Sequence, residues 1–484
     1  MRVLFAPSYF LRLDAKQWRA GKPYPPLATL YALAAVRAAG HEAALFDTQF
    51  AAGGAQLALE LERFRPDLLV IYDDDFNWLT KMCLSVMQRE ALVMVGLARE
   101  RGLRVAVHGA DASDHRRRFL EAGADWVLLG DGEPTLVELL DALQAGRSTE
   151  GVVGLATLRD GAVRETGRRR TPEELDALPR AAWEAVDLAP YERIWRARHG
   201  RFSLNLVSSR GCPYGCNWCA KPVFGRQYFL HSPERVAADL AWLRQRVSFE
   251  HVWFCDDIFG LTPEWTGGLA EAVLSAGART PFMAQTRADL MVKPELRGNL
   301  VRAGLETAWL GVESGSQRVL DAMDKGLRVE QAHEAVRRLQ EDGVRVGLFL
   351  QYGYLGEDRA DIEATLRMLT ELCPDEIGIS VSYPLPGTVF HEKVRAAMGP
   401  KTNWTDSDDL DPMYPGRYPP AFYRRLHHYT HMVFRTRRGL RSLRELLRAP
   451  LRAGPADWRA ALATLYFAPA STLDAWRLRR LERA

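Results

Sequence analysis

Strand-like and helix-like patterns alternate along two long stretches of this chain, and that alternation limits its fold more than any other feature. Over residues 2–145, apolar runs at 2–7, 42–47, 67–73, 104–110 and 125–129 are separated by helical periodicity at 26–39, 54–64, 79–101 and 111–122. A last helix is expected at 133–145. Such a pattern predicts a parallel sheet covered on both faces, with ligands beyond the carboxyl ends of its strands. From Ser203 six more repeats follow, with strands at 203–208, 251–255, 282–286, 308–312, 346–352 and 376–382. Ser232-Pro233-Glu234 and Thr262-Pro263-Glu264 start helices with a cap, a proline and an acid in the first turn. Six units are too few for a closed eightfold barrel. The chain reads as α/β, with a first domain at 1–146, a linker at 147–200, a partial barrel at 201–400 and a helical C-terminal region at 401–484.

A net charge of +3 gives no argument for nucleic acid. Of six cysteines, Cys83, Cys255 and Cys373 are scattered, which offers no disulfide framework and fits a reducing cytoplasm. No apolar run approaches the ~20 residues needed to span a bilayer. The chain starts on a strand-like Val3-Leu4-Phe5 with no signal-peptide pattern, so a cytoplasmic location is expected.

The other three cysteines lie in Arg210-Gly211-Cys212-Pro213-Tyr214-Gly215-Cys216-Asn217-Trp218-Cys219, directly after the first strand of the second stretch. Thiolates suit iron–sulfur clusters or zinc. A four-iron cluster on Cys212, Cys216 and Cys219 leaves one iron open for chemistry. A structural zinc site takes four ligands, and His231 or His199 would have to supply the last, without a knuckle spacing. The C-x3-C-x2-C spacing, with Trp218 before the last cysteine, resembles the signature of the radical S-adenosylmethionine (SAM) superfamily. The resemblance implies a 4Fe–4S cluster, with the six repeats forming that superfamily's partial (β/α)6 barrel of TIM type.

Further segments at strand ends strengthen the resemblance. Gly311-Val312-Glu313-Ser314-Gly315 and Tyr383-Pro384-Leu385-Pro386-Gly387-Thr388 resemble SAM-contacting segments of the superfamily. A zwitterionic methionine moiety needs a cation for its carboxylate and an acid for its ammonium. Arg287 and Asp256 or Asp257 are candidates for those charges, Glu313 for the ribose hydroxyls and Trp218 for adenine, with Ser314 and Tyr383 alongside. Cys255 is expected to pack in the barrel.

The first domain resembles the Rossmann-like cobalamin-binding domain that precedes the barrel in many such enzymes. Tyr24-Pro25-Pro26-Leu27, Gly40-His41-Glu42 and Gly130-Asp131-Gly132-Glu133-Pro134-Thr135-Leu136 carry that likeness. It implies a corrinoid over the strand ends, near Ser8, Tyr9, Tyr24, Asp75, His108, Gly109, Gly130 and Glu133. The ligating histidine of classical cobalamin domains is missing, since the first strand runs into Ala6-Pro7-Ser8-Tyr9. The long segment 8–26 over the ligand end is expected to be functional.

Residues 417–448 hold nine arginines and a single acid, Glu445. This basic, aromatic tail reads as a solvated face on the barrel, or as a contact for a carboxylated substrate or an anionic membrane. Adjacent His427 and His428 do not form a metal pair. The whole resembles the cobalamin-dependent radical SAM family, including the anaerobic magnesium-protoporphyrin monomethyl ester cyclase group and many C-methyltransferases. That implies reductive cleavage of SAM to a 5′-deoxyadenosyl radical and methylation of an unactivated carbon. Oxidative cyclisation of a porphyrin-like substrate is the alternative, and a non-catalytic, zinc-stapled cobalamin module is the reading outside enzymes. A small-molecule substrate and an electron donor such as flavodoxin or ferredoxin are implied as partners.

Overall fold

In the computed structural model, the chain is described over residues 1–219, 224–448 and 454–482. Its first sheet contains β1 (Arg2–Ala6), β2 (Glu42–Leu45), β3 (Leu68–Tyr72), β4 (Arg104–His108) and β5 (Trp126–Leu128), all parallel. The order β2-β1-β3-β4-β5 reverses direction between β1 and β3, where open α/β sheets form their ligand crevice. The β3 sequence Leu-Leu-Val-Ile-Tyr is buried along its whole length because helices cover both faces.

Residues 147–200 were expected as a linker, but they contain a hairpin. Strands β6 (Leu155–Arg159) and β7 (Ala162–Glu165) pair antiparallel with each other, and β6 pairs with β5, widening the sheet to seven strands. Asp160-Gly161, both at positive φ, form the turn, an Asp-Gly pair that favours a two-residue hairpin. Past the hairpin, Arg169 bridges to Gly130. A Cβ on Gly130 (φ +86°) would fall on the Arg169 carbonyl oxygen. Gly130→Ala is therefore expected to destabilise the first domain by about 1–3 kcal/mol, read from urea unfolding.

Helix 79–101 is also divided. It forms Trp78–Lys81 and Ser85–Glu100, separated by Cys83 at φ +56°. The Ser85 amide donates to the Trp404 carbonyl at 2.7 Å, so the C-terminal region docks at the break. The 8–26 segment holds a short helix, Ala15–Ala20, capped by Asp14. Asp14, Lys16 and Gln17 all bond Ser407, which ties this segment to the C-terminal region as well.

The second sheet contains β8 (Ser203–Leu206), β9 (His251–Phe254), β10 (Phe282–Thr286), β11 (Leu305–Glu313), β12 (Arg345–Tyr352) and β13 (Glu376–Val381). Each strand pairs in parallel with the next, leaving β8 and β13 as edges of an open barrel. Val252, Leu310, Val346 and Leu348 are fully buried in its core. Beyond it, helices Pro420–Arg448 and Pro455–Glu482 lie antiparallel, with Gly439 against Thr464 and Arg425 bonded to Asp474. Among the described residues no helix is long and apolar enough to cross a membrane.

Candidate active site

The cysteine loop leaves β8 at the barrel mouth. Ser209 and Arg210 pair with Leu230 and Phe229, and Gly211 (φ +82°) brings the chain so close to the Gln227 carbonyl that a Cβ would collide with it. Asn217 fixes the far end. Its amide donates to the Met323 carbonyl at 3.0 Å and its carbonyl accepts from the Phe390 amide at 2.9 Å. Its side chain donates to the Ala322 carbonyl and Asp324, and accepts from the Tyr354 hydroxyl. Cys212 is buried, and Cys216 and Cys219 are half-buried.

Among the described residues no three His, Cys, Asp or Glu side chains gather to hold one metal ion. Three thiolates on a four-iron cube each take a different iron and need not share one point. The histidines that would complete a zinc site are committed elsewhere: His231 Nδ1 lies 2.9 Å from Asp176, and His199 Nε2 bonds the Ala20 and Gly21 carbonyls.

Three of the expected SAM residues assemble beside the loop. Arg287, nearly buried, donates to Asp289 at 2.8 Å and the Gly326 carbonyl at 2.9 Å, and its guanidinium carbon lies 3.9 Å from the Tyr214 ring centroid. Its Nη1 is buried with no hydrogen-bond partner. Glu313 sits at a bulge in β11 with φ +68°, a strained conformation for a non-glycine residue. It accepts from Lys325 at 2.9 Å, and Lys325 in turn lies 5.9 Å from the Trp218 ring centroid. Burial works against the Lys325 charge, but Glu313 and Cys216 more than offset it and raise its pKa. Trp218 packs against the Val319–Met323–Phe390 cluster, and its Nε1 has no partner.

The other four do not join them. Asp256 accepts from the Ser208 amide and hydroxyl, at 3.0 and 2.8 Å, and from the Ser209 hydroxyl. It fixes the start of the cysteine loop, mainly through one carboxylate oxygen. Burial lifts its carboxyl to about 7 against those hydrogen bonds. Asp257 pairs with Lys81 of the first domain, Ser314 bonds Thr365 and Ser316, and the Tyr383 hydroxyl donates to the Asp409 carbonyl. Cys255 is buried, as expected.

Two basic residues with no obvious sequence signal join the domains. Lys81 is held above the ordinary lysine range: burial opposes its charge, while Asp257, Asp75 and Cys219 favour it. Arg210, two residues before Cys212, is fully buried. It donates to Asp131 at 2.8 Å and bidentately to Glu133 at 3.0 and 2.8 Å. The guanidinium also lies 5.5–5.8 Å from the rings of Tyr31, Phe76 and Phe224. Burial opposes both carboxylates; Arg210 still holds Glu133 below the usual range, while Asp131, beside Glu133, stays above it.

The expected corrinoid contacts divide in the same way. Ser8 donates through its amide and hydroxyl to Asp73, at 2.7 and 3.0 Å. Ser8, Tyr9 and Asp73 line a small cavity with Thr80, Gln88 and Asp111 over the strand ends. Asp75 is 1% exposed, with neither carboxylate oxygen hydrogen-bonded. The unpartnered Nδ1 of His108 lies 3.5 Å away. The His108 ring stacks on Tyr72 at 4.2 Å, and a Cβ on Gly109 would crowd Asp73. Ser8, Asp75, His108 and Gly109 thus share one strand-end surface, with buried polar atoms still to be satisfied. Tyr24, Gly130 and Glu133 meet protein groups instead. Tyr24 bonds Ser203 at the amino end of β8 and packs on Trp195 and Trp253. Gly130 serves the Arg169 backbone, and Glu133 serves Arg210. Asp74 accepts from the Ala28 amide in the first turn of the helix Leu27–Ala38.

Enzymes that seat a metal–thiolate cofactor in the mouth of an open parallel barrel share this arrangement. Residues 206–369 match the radical SAM superfamily. It is 30% identical over 292 residues to an uncharacterized methyltransferase of Pyrococcus horikoshii, covering 60% of this chain and 62% of that relative. Over 374 residues it is 26% identical to the anaerobic magnesium-protoporphyrin IX monomethyl ester cyclase of Synechocystis, covering 76% of this chain and 72% of the cyclase. Its fold is shared by the radical SAM methyltransferase TsrM of Kitasatospora setae, solved with cobalamin and a 4Fe–4S cluster. That match has a TM-score of 0.68 and 18% identity, covering 83% of this chain and 76% of TsrM.

Proposed function

We propose that this chain is a cobalamin-dependent radical SAM enzyme that methylates an unactivated carbon of a small-molecule substrate. The observation that carries the reading is the buried Arg210 link, which joins the cysteine loop to the Asp131–Glu133 loop beside Asp75 and His108, whose carboxylate oxygens and Nδ1 make no hydrogen bond. Cofactors bound on the two sheets would therefore face each other. The similarity to a methyltransferase and the fold shared with TsrM support the same assignment.

When bound, the cluster and SAM supply a 5′-deoxyadenosyl radical, and cobalamin supplies the methyl group. In this reading Cys212, Cys216 and Cys219 hold the cluster. Arg287 turns its unpartnered Nη1 toward the methionine carboxylate of SAM, Trp218 takes the adenine, and Glu313 takes ribose hydroxyls with its orientation set by Lys325. Ser8, Asp75, His108 and Gly109 face the corrinoid. Asp256 and Asp257 keep the loop and the domain contact in place. The setting is the cytoplasm, with electrons from a flavodoxin- or ferredoxin-type donor.

The alignment with the cyclase favours a second reading, oxidative cyclisation of a porphyrin-like ring. Products separate the two. Methylation releases S-adenosylhomocysteine with 5′-deoxyadenosine, whereas oxidation releases 5′-deoxyadenosine alone.

Metal analysis of anaerobically reconstituted protein tests the assignment as a whole. About four irons, four sulfides and one cobalt per chain are expected. Iron and sulfide without cobalt, with cobalamin supplied, would rule out methyl transfer. Zinc without sulfide would rule out the radical enzyme.

A further inference from the structure

The last helix, Pro455–Glu482, has one face in contact and one face bare. Thr464, Asp474 and Leu478 point inward and are buried, with Asp474 held by Arg425 and His428. On the opposite side, Trp458, Leu462, Leu465, Tyr466, Leu473 and Trp476 are 47–79% exposed. At 100° per residue these six fall within one narrow sector, which at 1.5 Å per residue makes a stripe about 27 Å long. The sequence from 460 to 473 carries no charge, and Asp474 is turned away. A water-exposed helix normally has charged residues on that side. Isolated exposed apolar residues are common, but a continuous stripe of this length marks a contact surface.

Charge decides among partners. Arg459 stands beside Trp458 at one end and Arg480 at the other, 4.8 Å from the Trp476 ring centroid, while Arg477 leans back to within 3.7 Å of Asp474. The neighbouring helix adds exposed Arg444 and Arg448. Two copies meeting stripe to stripe would bring arginines against arginines. An anionic lipid surface neutralises them instead, while indole and phenol rings suit the boundary between headgroups and acyl chains.

We infer that the outer face of this helix docks on an anionic membrane, lying in its surface without crossing it. The barrel is thereby held at the bilayer, where a lipid-soluble substrate would be met.

Flotation of the reconstituted full chain with vesicles tests this. Vesicles of phosphatidylcholine with phosphatidylglycerol are expected to carry the protein, pure phosphatidylcholine vesicles far less, and added salt should weaken the association. L462S/L465S/W476S, all at exposed positions, should lower vesicle binding by at least ~tenfold. R459E/R480E should lower it selectively for the anionic vesicles. Failure of the wild type to float with anionic vesicles would overturn the inference, as would unchanged binding by both variants. A wild-type dimer that the triple variant converts to monomer, without vesicle binding, would assign the stripe to a second copy and overturn it too. If the triple variant loses its far-ultraviolet helical signal, the charge-reversal variant carries the decision.

Discussion

Cys216→Ala should leave a protein that no longer cleaves SAM. Two thiolates cannot hold a four-iron cluster with a single open iron, so 5′-deoxyadenosine formation should fall to background and iron content should fall with it. Corrinoid binding should stay within about twofold, because Asp75 and His108 belong to the other sheet and touch no cysteine of the loop. Chromatography of the nucleoside product, with cobalt analysis of the same sample, reads both effects. Normal SAM cleavage by this variant would remove the cluster assignment.

Arg210→Met tests the link between the domains. Removing the guidanidium leaves Asp131 and Glu133 buried beside each other without a counter-charge, and breaking a buried pair from one side costs about 3–5 kcal/mol. Urea unfolding should show a loss of that size, and the reconstituted variant should hold less iron because the residue lies two positions before Cys212. Arg210→Met combined with Asp131→Asn and Glu133→Gln should recover much of the stability, since no unpaired charge remains. Iron retention should stay low, because the bidentate contact that orients the loop is still missing. Arg210→Lys should fall between, as an ammonium cannot reproduce the fork. Full iron content in the single variant would show that the loop does not depend on this contact.

Local pattern carried most of the fold. An unbroken apolar run such as Leu68–Tyr72 has few choices but a doubly covered strand, and the cap-proline-acid starts at Ser232 and Thr262 form helices as expected. The hairpin at 155–165 was missed because its strands are short and partly polar, although Asp160-Gly161 carried the turn signal. The break at Cys83 has no local cause, since it depends on Trp404, far along the chain. The site divides along the same line. Cysteine spacing is local and was legible, as was the position of Arg287 at a strand end. The partners of charged residues were not: Asp256 and Asp257 look alike in sequence, yet one is taken by two serines just past β8 and the other by Lys81, 176 residues away. Glu133 likewise looked like a ligand contact because nothing nearby announces Arg210.

The position of Arg210 also sets an order of assembly. Its guanidinium belongs to the first barrel strand region, but both carboxylates that stabilise it belong to a domain synthesised earlier. A chain emerging from the ribosome folds its leading domain first. The arginine then arrives at a receptor already in place, and Gly211 and Cys212 follow directly behind it. On that order the thiols would reach their final spacing once the two halves have closed on each other, and iron delivery would follow their joining.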